Sequence, residues 1–332
     1  MLKDWFQLFR AQTAPATIAL VLVAFLAAGG DLTWVVPLGT FAWLVHLFSF
    51  GHNSLMDTAM GYDLHDPSKK PHPLVEGRIK LSEAHKIIHW GSALLAVLGI
   101  AITYLISPAP FLALACFLLF IVFGNAYNSG LSKVSLLGFL PISICFAAIG
   151  AWGWLLASPS LGTLGWVLVA YFFFTILFQI GWSGFIKEMG VRERSNLLIK
   201  LGARLGGFMV SEKQGGKVYF VPGNSIFYGY GVKLTNLALG GILLYLVFTP
   251  QGLISLFFFG SIALYFLHQL TKHRMYVRDR ELLNMSLMEV ATIFLPIAIV
   301  VPLIPALALM IFGVIYFFGM NKLLWAASHP RV

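Results

Sequence analysis

Charge is scarce in this chain of 332 residues. Only 11% of them are Asp, Glu, Lys or Arg, against 59% hydrophobic, a balance that excludes an ordinary soluble domain. Cysteine is scarcer still: Cys116 and Cys145 are the two present, both inside apolar runs, so they read as small packing residues rather than a disulfide or metal pair. The short alternating segments of a transmembrane barrel are missing, and so is any low-complexity linker that would divide the chain.

Long apolar runs are what the chain does have. Ten stand out: Thr13–Gly29, Thr33–Gly51, His85–Ser107, Ala109–Ala126, Val134–Ala157, Leu161–Trp182, Ile226–Phe248, Gly252–Leu270, Met285–Val301 and Leu303–Met320. Runs of roughly 20 residues match the bilayer core, where only a helix satisfies its own backbone without closing a barrel. The reading is an all-α integral membrane protein, a single domain over residues 1–332.

All 22 Lys and Arg fall in alternate connections or the span ends beside them; Lys86 and Lys233 lie inside spans, towards those ends. The other connections, around Asp31, Ser107–Pro110, Ser158–Ser160, Thr249–Gln251 and Val301–Pro305, hold none. Cytoplasmic loops accumulate Lys and Arg, which places both termini and every long polar loop inside. The net charge of +9 is then explained by topology and anionic lipid, and no nucleic-acid partner is expected. The start, Lys3 and Arg10 before an apolar run ending at Ala27-Ala28, has the layout of a signal peptide; the role given to Arg10 below argues for an uncleaved first helix.

Three polar connections are long enough to carry chemistry: His52–Glu83, Ser183–Ser225 and Thr271–Asn284. In the second, Gly215-Gly216 between two β-prone runs predicts a β-hairpin insertion within 203–225. The third holds a charge run, Lys272 to Glu281, read as a solvated or lipid-facing loop. The connections after spans two and six take equivalent places in two four-helix groups, a hint of internal duplication that their sequences barely support.

The strongest local pattern is Gly51-His52-Asn53-Ser54-Leu55-Met56-Asp57-Thr58-Ala59-Met60-Gly61-Tyr62-Asp63. Asn53 and Asp57 are four apart and share a helix face, and Gly61 lets the chain break and return Asp63. These hard oxygens suit Mg²⁺ with an incomplete shell that leaves room for substrate phosphates. They equally suit interfacial caps of the second helix. The stretch His65–Ile79, with Lys69, Lys70 and Arg78, then sets basic groups beside the acidic ones, as a metal-bound diphosphate requires.

With these residues the chain resembles the UbiA superfamily of intramembrane prenyltransferases, whose signature is an Asn/Asp-rich motif closing the second helix and a basic Pro-Leu-x-x-Gly-Arg-like stretch opening the third. The spacing at Asn53, Asp57, Gly61 and Asp63 is most similar to the menaquinone-pathway branch, which prenylates a dihydroxynaphthoate. Asn125-Ala126-Tyr127-Asn128, then Lys133 and Gly138, is similar to the family's Tyr…Lys…Gly stretch, implying that Tyr127 and Lys133 face the diphosphate. Arg10 before Ala14-Pro15 resembles the family's early arginine. Without that resemblance, Arg10 and Lys133 read as plain positive-inside anchors. The second Asp-rich motif is reduced: Lys187-Glu188 matches its opening and Asn196–Gly202 its tail, but the later aspartates are missing and Arg192 and Arg194 stand nearby.

The resemblance implies a bundle of nine to ten transmembrane helices around a central cavity open to the cytoplasm, with Leu303–Met320 as the added helix. It implies an isoprenyl diphosphate donor, a hydrophobic aromatic or lipid acceptor, and Mg²⁺ held by Asn53, Asp57, Asp63 and Glu188. Arg10, Asn53, Arg78, Tyr127, Lys133 and Lys187 would bind diphosphate, with Asp57, Asp63, Lys133 and Glu188 as the catalytic set. A terpene cyclase, a phosphoribosyl-type transferase (suggested by His65-x-Pro-x-Lys-x-x-x-Pro) and a transporter are the alternatives. His85 and His89 have the spacing of a metal pair but lack a third ligand, and read as interfacial residues. Tyr171–Phe174 and Phe257–Phe259 are candidates for an isoprenoid tunnel, with lipid-facing packing as the default. His46 and Glu289 are the ionisable residues expected deepest in the membrane.

Overall fold

A computed structural model of the chain describes residues 2–65, 70–131, 138–184, 204–208, 217–272, 274–275 and 277–326. A short helix α1 (Leu2–Leu8) leads into α2 (Ala14–Ala27), α3 (Val35–Ala59), α4 (Leu81–Ile106), α5 (Pro110–Ala126), α6 (Phe139–Leu155) and α7 (Gly162–Phe178). Strands β1 (Arg204–Phe208) and β2 (Lys217–Phe220) precede α8 (Gly223–Val247) and α9 (Pro250–Thr271). Strand β3 (Arg274–Met275), α10 (Arg278–Val300) and α11 (Leu303–Trp325) complete the order. Among the described residues, eight helices are individually long and apolar enough to cross a membrane, and the pair α1 and Ala11–Ala27, bent by 57°, makes a ninth if it is one span. The 17-residue α6 is also apolar but shorter.

The ten helices from α2 to α11 fall on the ten apolar runs. Their ends differ where polar residues extend a helix beyond its apolar part. Helix α3 continues to Ala59, carrying Asn53 and Asp57 on helical backbone. Helix α10 begins at Arg278, with Asp279 and Glu281 in its first turn, where a helix N-terminus favours negative charge.

Helix α2 sits at the centre and packs along α3 and α6. Its approach to α6 is close because of Gly153, where a Cβ would lie 2.7 Å from the Val21 carbonyl oxygen. Small residues that admit a neighbouring backbone are the usual means of packing helices in lipid, which supplies no hydrophobic drive between them. Trp152, fully buried beside this contact, donates from Nε1 to Thr103 Oγ1 at 2.8 Å and packs against Phe41 and Phe117. Large apolar side chains such as Phe111, Tyr245 and Ile304 are 78–83% exposed, on faces that only lipid covers favourably.

The strands form one antiparallel sheet in the order β1-β2-β3. Leu205 pairs with Tyr219 and Val218 with Met275, so the connection after α9 is stitched to the segment before α8. A bulge interrupts β1 between Gly206 and Phe208.

Candidate active site

The antiparallel order brings the C-terminal ends of α3, α5 and α7 to one end of the bundle, where a cavity of about 250 Å³ opens between α2 and α7. Arg10, Thr13, Thr17, His46, Asn53 and Gln179 line its polar part, with Tyr127 and Asn128. Phe117, Phe120, Ile121, Phe146 and Ile176 line its apolar part.

Arg10 owes its place to the break between α1 and α2. It adopts left-handed backbone, φ 49° and ψ 43°, uncommon for a residue with a side chain, and a single 3₁₀ turn (Ala11–Thr13) follows. The Arg10 guanidinium makes no hydrogen bond or ion pair among the described residues, and its Nε is buried. Its carbonyl accepts from Thr13 Oγ1 at 2.9 Å. Thr13 Oγ1 also lies 3.1 Å from His46 Nε2, and Thr17 Oγ1 lies 2.8 Å from His46 Nδ1, so each ring nitrogen has a hydroxyl partner in either tautomer. Both nitrogens of this buried ring are committed, and its face stacks on Phe50.

Asn53 donates from Nδ2 to Asn128 Oδ1 at 3.2 Å, joining the ends of α3 and α5. Asn128 and Tyr127 lie on a π-helical turn, Tyr127–Leu131, that ends α5 and is kinked at Gly130, φ +97°; α7 ends on a π-helical turn without such a kink, at Gln179–Ser183. One π turn at each helix end re-aims the residues there, a recurrent feature of functional sites. One helical turn beyond Asn53, Asp57 is 7% exposed. The chain then reverses at Gly61, φ +80°, a conformation favoured only by glycine, and enters a short 3₁₀ turn in which Asp63 is fully buried.

Among the residues expected from sequence, the structure therefore brings Arg10, Asn53 and Tyr127 onto one cavity, with Asp57 buried in the last turn of α3 and Asp63 buried just past its end. Arg78 stands elsewhere. Its guanidinium pairs with Asp4 and Glu76, donates to Gln7 Oε1 and reaches the Pro71 carbonyl, and it does not line the cavity. Lys133, Lys187 and Glu188 lie outside the described residues. His85 and His89 stack, with His52 edge-on, but no group of three His, Cys, Asp or Glu among the described residues is placed to hold a metal ion. Phe257 and Phe258 are exposed and Tyr171 is buried away from the cavity, whose aromatic wall comes from α3, α5 and α6.

Sequence reasoning singled out Glu289 as a deep ionisable residue but missed the polar cluster around it, behind the α7 wall. Gln179 lines the cavity and donates from Nε2 to Glu289 Oε2 at 2.9 Å; the Ser183 hydroxyl lies 3.0 Å from Glu289 Oε1. Deeper, Lys233 is 1% exposed, donates to Thr292 Oγ1 at 2.9 Å and holds its ammonium 4.1 Å from the centre of the Phe178 ring. The signal available was a glutamine and a lysine interrupting otherwise apolar runs.

The UbiA prenyltransferase family model matches residues 14–206, more than half of the chain. The chain belongs to the UbiA prenyltransferase family. Solved structures agree on the fold. A UbiA homolog from Archaeoglobus fulgidus bound to DMAPP and Mg²⁺ superposes with a TM-score of 0.61 at 14% identity, covering 90% of this chain and 99% of that one. An apo UbiA homolog from Aeropyrum pernix K1 gives 0.59 at 16% identity, covering 86% and 94%. A digeranylgeranylglyceryl phosphate synthase structure gives 0.57 at 17%, covering 89% and 98%. No curated protein sequence matches significantly.

Proposed function

We propose that this protein transfers an isoprenyl group from a polyprenyl diphosphate to a membrane-associated acceptor, a quinone-precursor ring first and a lipid alcohol second, releasing diphosphate. The observation that carries the proposal is the shared cavity. Arg10, Asn53 and Tyr127 come from three separate stretches and line one chamber together with Thr13, Thr17, His46, Asn128 and Gln179, the rest of its lining being largely Phe, Ile, Leu and Ala. A diphosphate needs the polar end and an isoprenoid chain the apolar one.

The donor set fits Mg²⁺ in its chemistry: Asn53, Asp57 and Asp63 supply hard oxygen ligands within one turn and a reversal of chain, and Glu188 would complete them. When bound there, Mg²⁺ supplies charge neutralisation of the diphosphate. The chain's own groups do the rest. Arg10, with Lys133 and Lys187, stabilises charge as it develops on the departing oxygen, and Tyr127 orients the diphosphate. The allylic C–O bond breaks with its electron pair leaving on diphosphate, the acceptor bonds to the allylic carbon, and the acceptor's proton is released. The apolar wall keeps water from the cationic carbon. Arg78 holds α1 against the α3–α4 connection rather than binding diphosphate. The distribution of Lys and Arg supports termini and long connections on the cytoplasmic side, with donor entry from there.

Binding and turnover of radiolabelled geranylgeranyl diphosphate by the purified protein in detergent, with and without Mg²⁺, tests this. Mg²⁺-dependent binding that Asp57→Ala abolishes is the expected result. Absence of binding at every isoprenoid length overturns it.

A further inference from the structure

Gln179 stands on the α7 wall of the cavity with a charged group behind it. Helix α10 does not line the cavity, yet its Glu289 reaches the Gln179 side chain from outside, at 2.9 Å. A carboxylate can only accept, so the amide NH₂ of Gln179 must face Glu289 whatever the assignment of its O and N atoms. The amide oxygen is then the atom left for the cavity, and it makes no hydrogen bond among the described residues. The Ser183 hydroxyl lies 3.0 Å from the other carboxylate oxygen and 3.0 Å from the Gln179 backbone carbonyl, so its one proton is shared between two acceptors.

On the α2–α3 wall the arrangement is the reverse. His46 has neither proton nor lone pair to spare, because Thr13 and Thr17 use both ring nitrogens. Arg10 can only donate, which suits a diphosphate. Gln179 thus presents a fixed acceptor, and what pairs with it is a donor that an isoprenyl diphosphate lacks.

We infer that Gln179 binds the hydroxyl group of the prenyl acceptor through its amide oxygen, and that Glu289 is the positioning residue that keeps that oxygen turned to the cavity. The substrate class is a hydroxylated acceptor, phenolic or alcoholic, recognised as a hydrogen-bond donor. The inference rests on the prenyltransferase reading. It also separates that reading from a cyclase, which needs no partner for an acceptor hydroxyl.

The test uses the full chain in detergent with Mg²⁺ and geranylgeranyl diphosphate. The acceptor probes are 1,4-dihydroxy-2-naphthoate and a long-chain glycerol monoether, each compared with its O-methyl derivatives. Gln179→Leu should raise the KM of the productive probe about tenfold, with donor Kd unchanged, the size of one hydrogen bond left unmade. Wild type should prefer the hydroxylated probe to its methyl ether, and the variant should lose that preference. Glu289→Gln lets the two amides pair in either sense, so it should weaken the preference without altering donor binding. A KM and preference unchanged in both variants, or donor binding with prenylation of neither probe, overturns the inference alone. Absence of donor binding overturns the prenyl-donor reading and this inference with it.

Discussion

Arg78 places both terminal guanidinium nitrogens 3.1 Å from Gln7 Oε1, and Gln7 passes the contact on by donating to the Leu324 carbonyl at 2.7 Å. One buried glutamine thus joins the α3–α4 connection, α1 and the end of α11. Arg78→Ala should lower thermal stability by about 1–2 kcal/mol, a few degrees in a detergent melt, with geranylgeranyl diphosphate affinity within twofold of wild type. A large loss of donor affinity would return Arg78 to the diphosphate.

Arg10 combines a strained backbone with a guanidinium unpaired among the described residues, and substitutions separate the two. Arg10→Gly keeps the left-handed turn without the Cβ penalty of about 1–2 kcal/mol, whereas Arg10→Ala retains the penalty. Both should weaken donor binding about 10- to 100-fold through loss of a charged hydrogen bond, while only the glycine variant keeps or gains stability. Donor Kd and melting temperature, measured on both proteins, decide it.

Gly61 has open space around its Cβ position, so any effect of a side chain there comes from the backbone. Gly61→Val should strain the turn by at least about 1 kcal/mol and shift Asp63, raising the Mg²⁺ concentration needed for half-maximal turnover several-fold. A Mg²⁺ titration indistinguishable from wild type would remove Asp63 from the metal site.

Lys233 and Thr292 give an asymmetric prediction. Thr292→Val leaves a buried ammonium short of its partner and should cost about 1–3 kcal/mol. Lys233→Met removes the ammonium but also takes its positive charge away from Glu289, which acts on it electrostatically, and should cost more, about 3–5 kcal/mol. Melts of both variants test this; a Lys233→Met protein as stable as wild type would mean that Glu289 does not depend on the lysine.

The helices were legible because lipid makes the apolar run and the helix nearly the same object: every run from Thr13–Gly29 to Leu303–Met320 carries a helix. Asn53, Arg10 and Tyr127 were legible through short motifs. Gln179 was not, because its meaning depends on Glu289, 110 positions away on a helix that no local pattern pairs with α7. Lys233 was misplaced for a related reason. Sequence puts it near a basic loop, whereas α8 begins at Gly223 and carries it into the core among Phe178, Thr292 and their neighbours.

That buried lysine has a consequence for how the protein is made. Its hydrogen-bond partner is 59 residues further along the chain, so α8 leaves the ribosome well before Thr292 exists. A lysine near the middle of a lone helix opposes its insertion by about 2.5–3.5 kcal/mol. In the folded protein the Phe178 ring and Thr292 offset that cost, the first made before α8 and the second after it, so the placement of α8 in the bilayer is favoured further once α10 has been made.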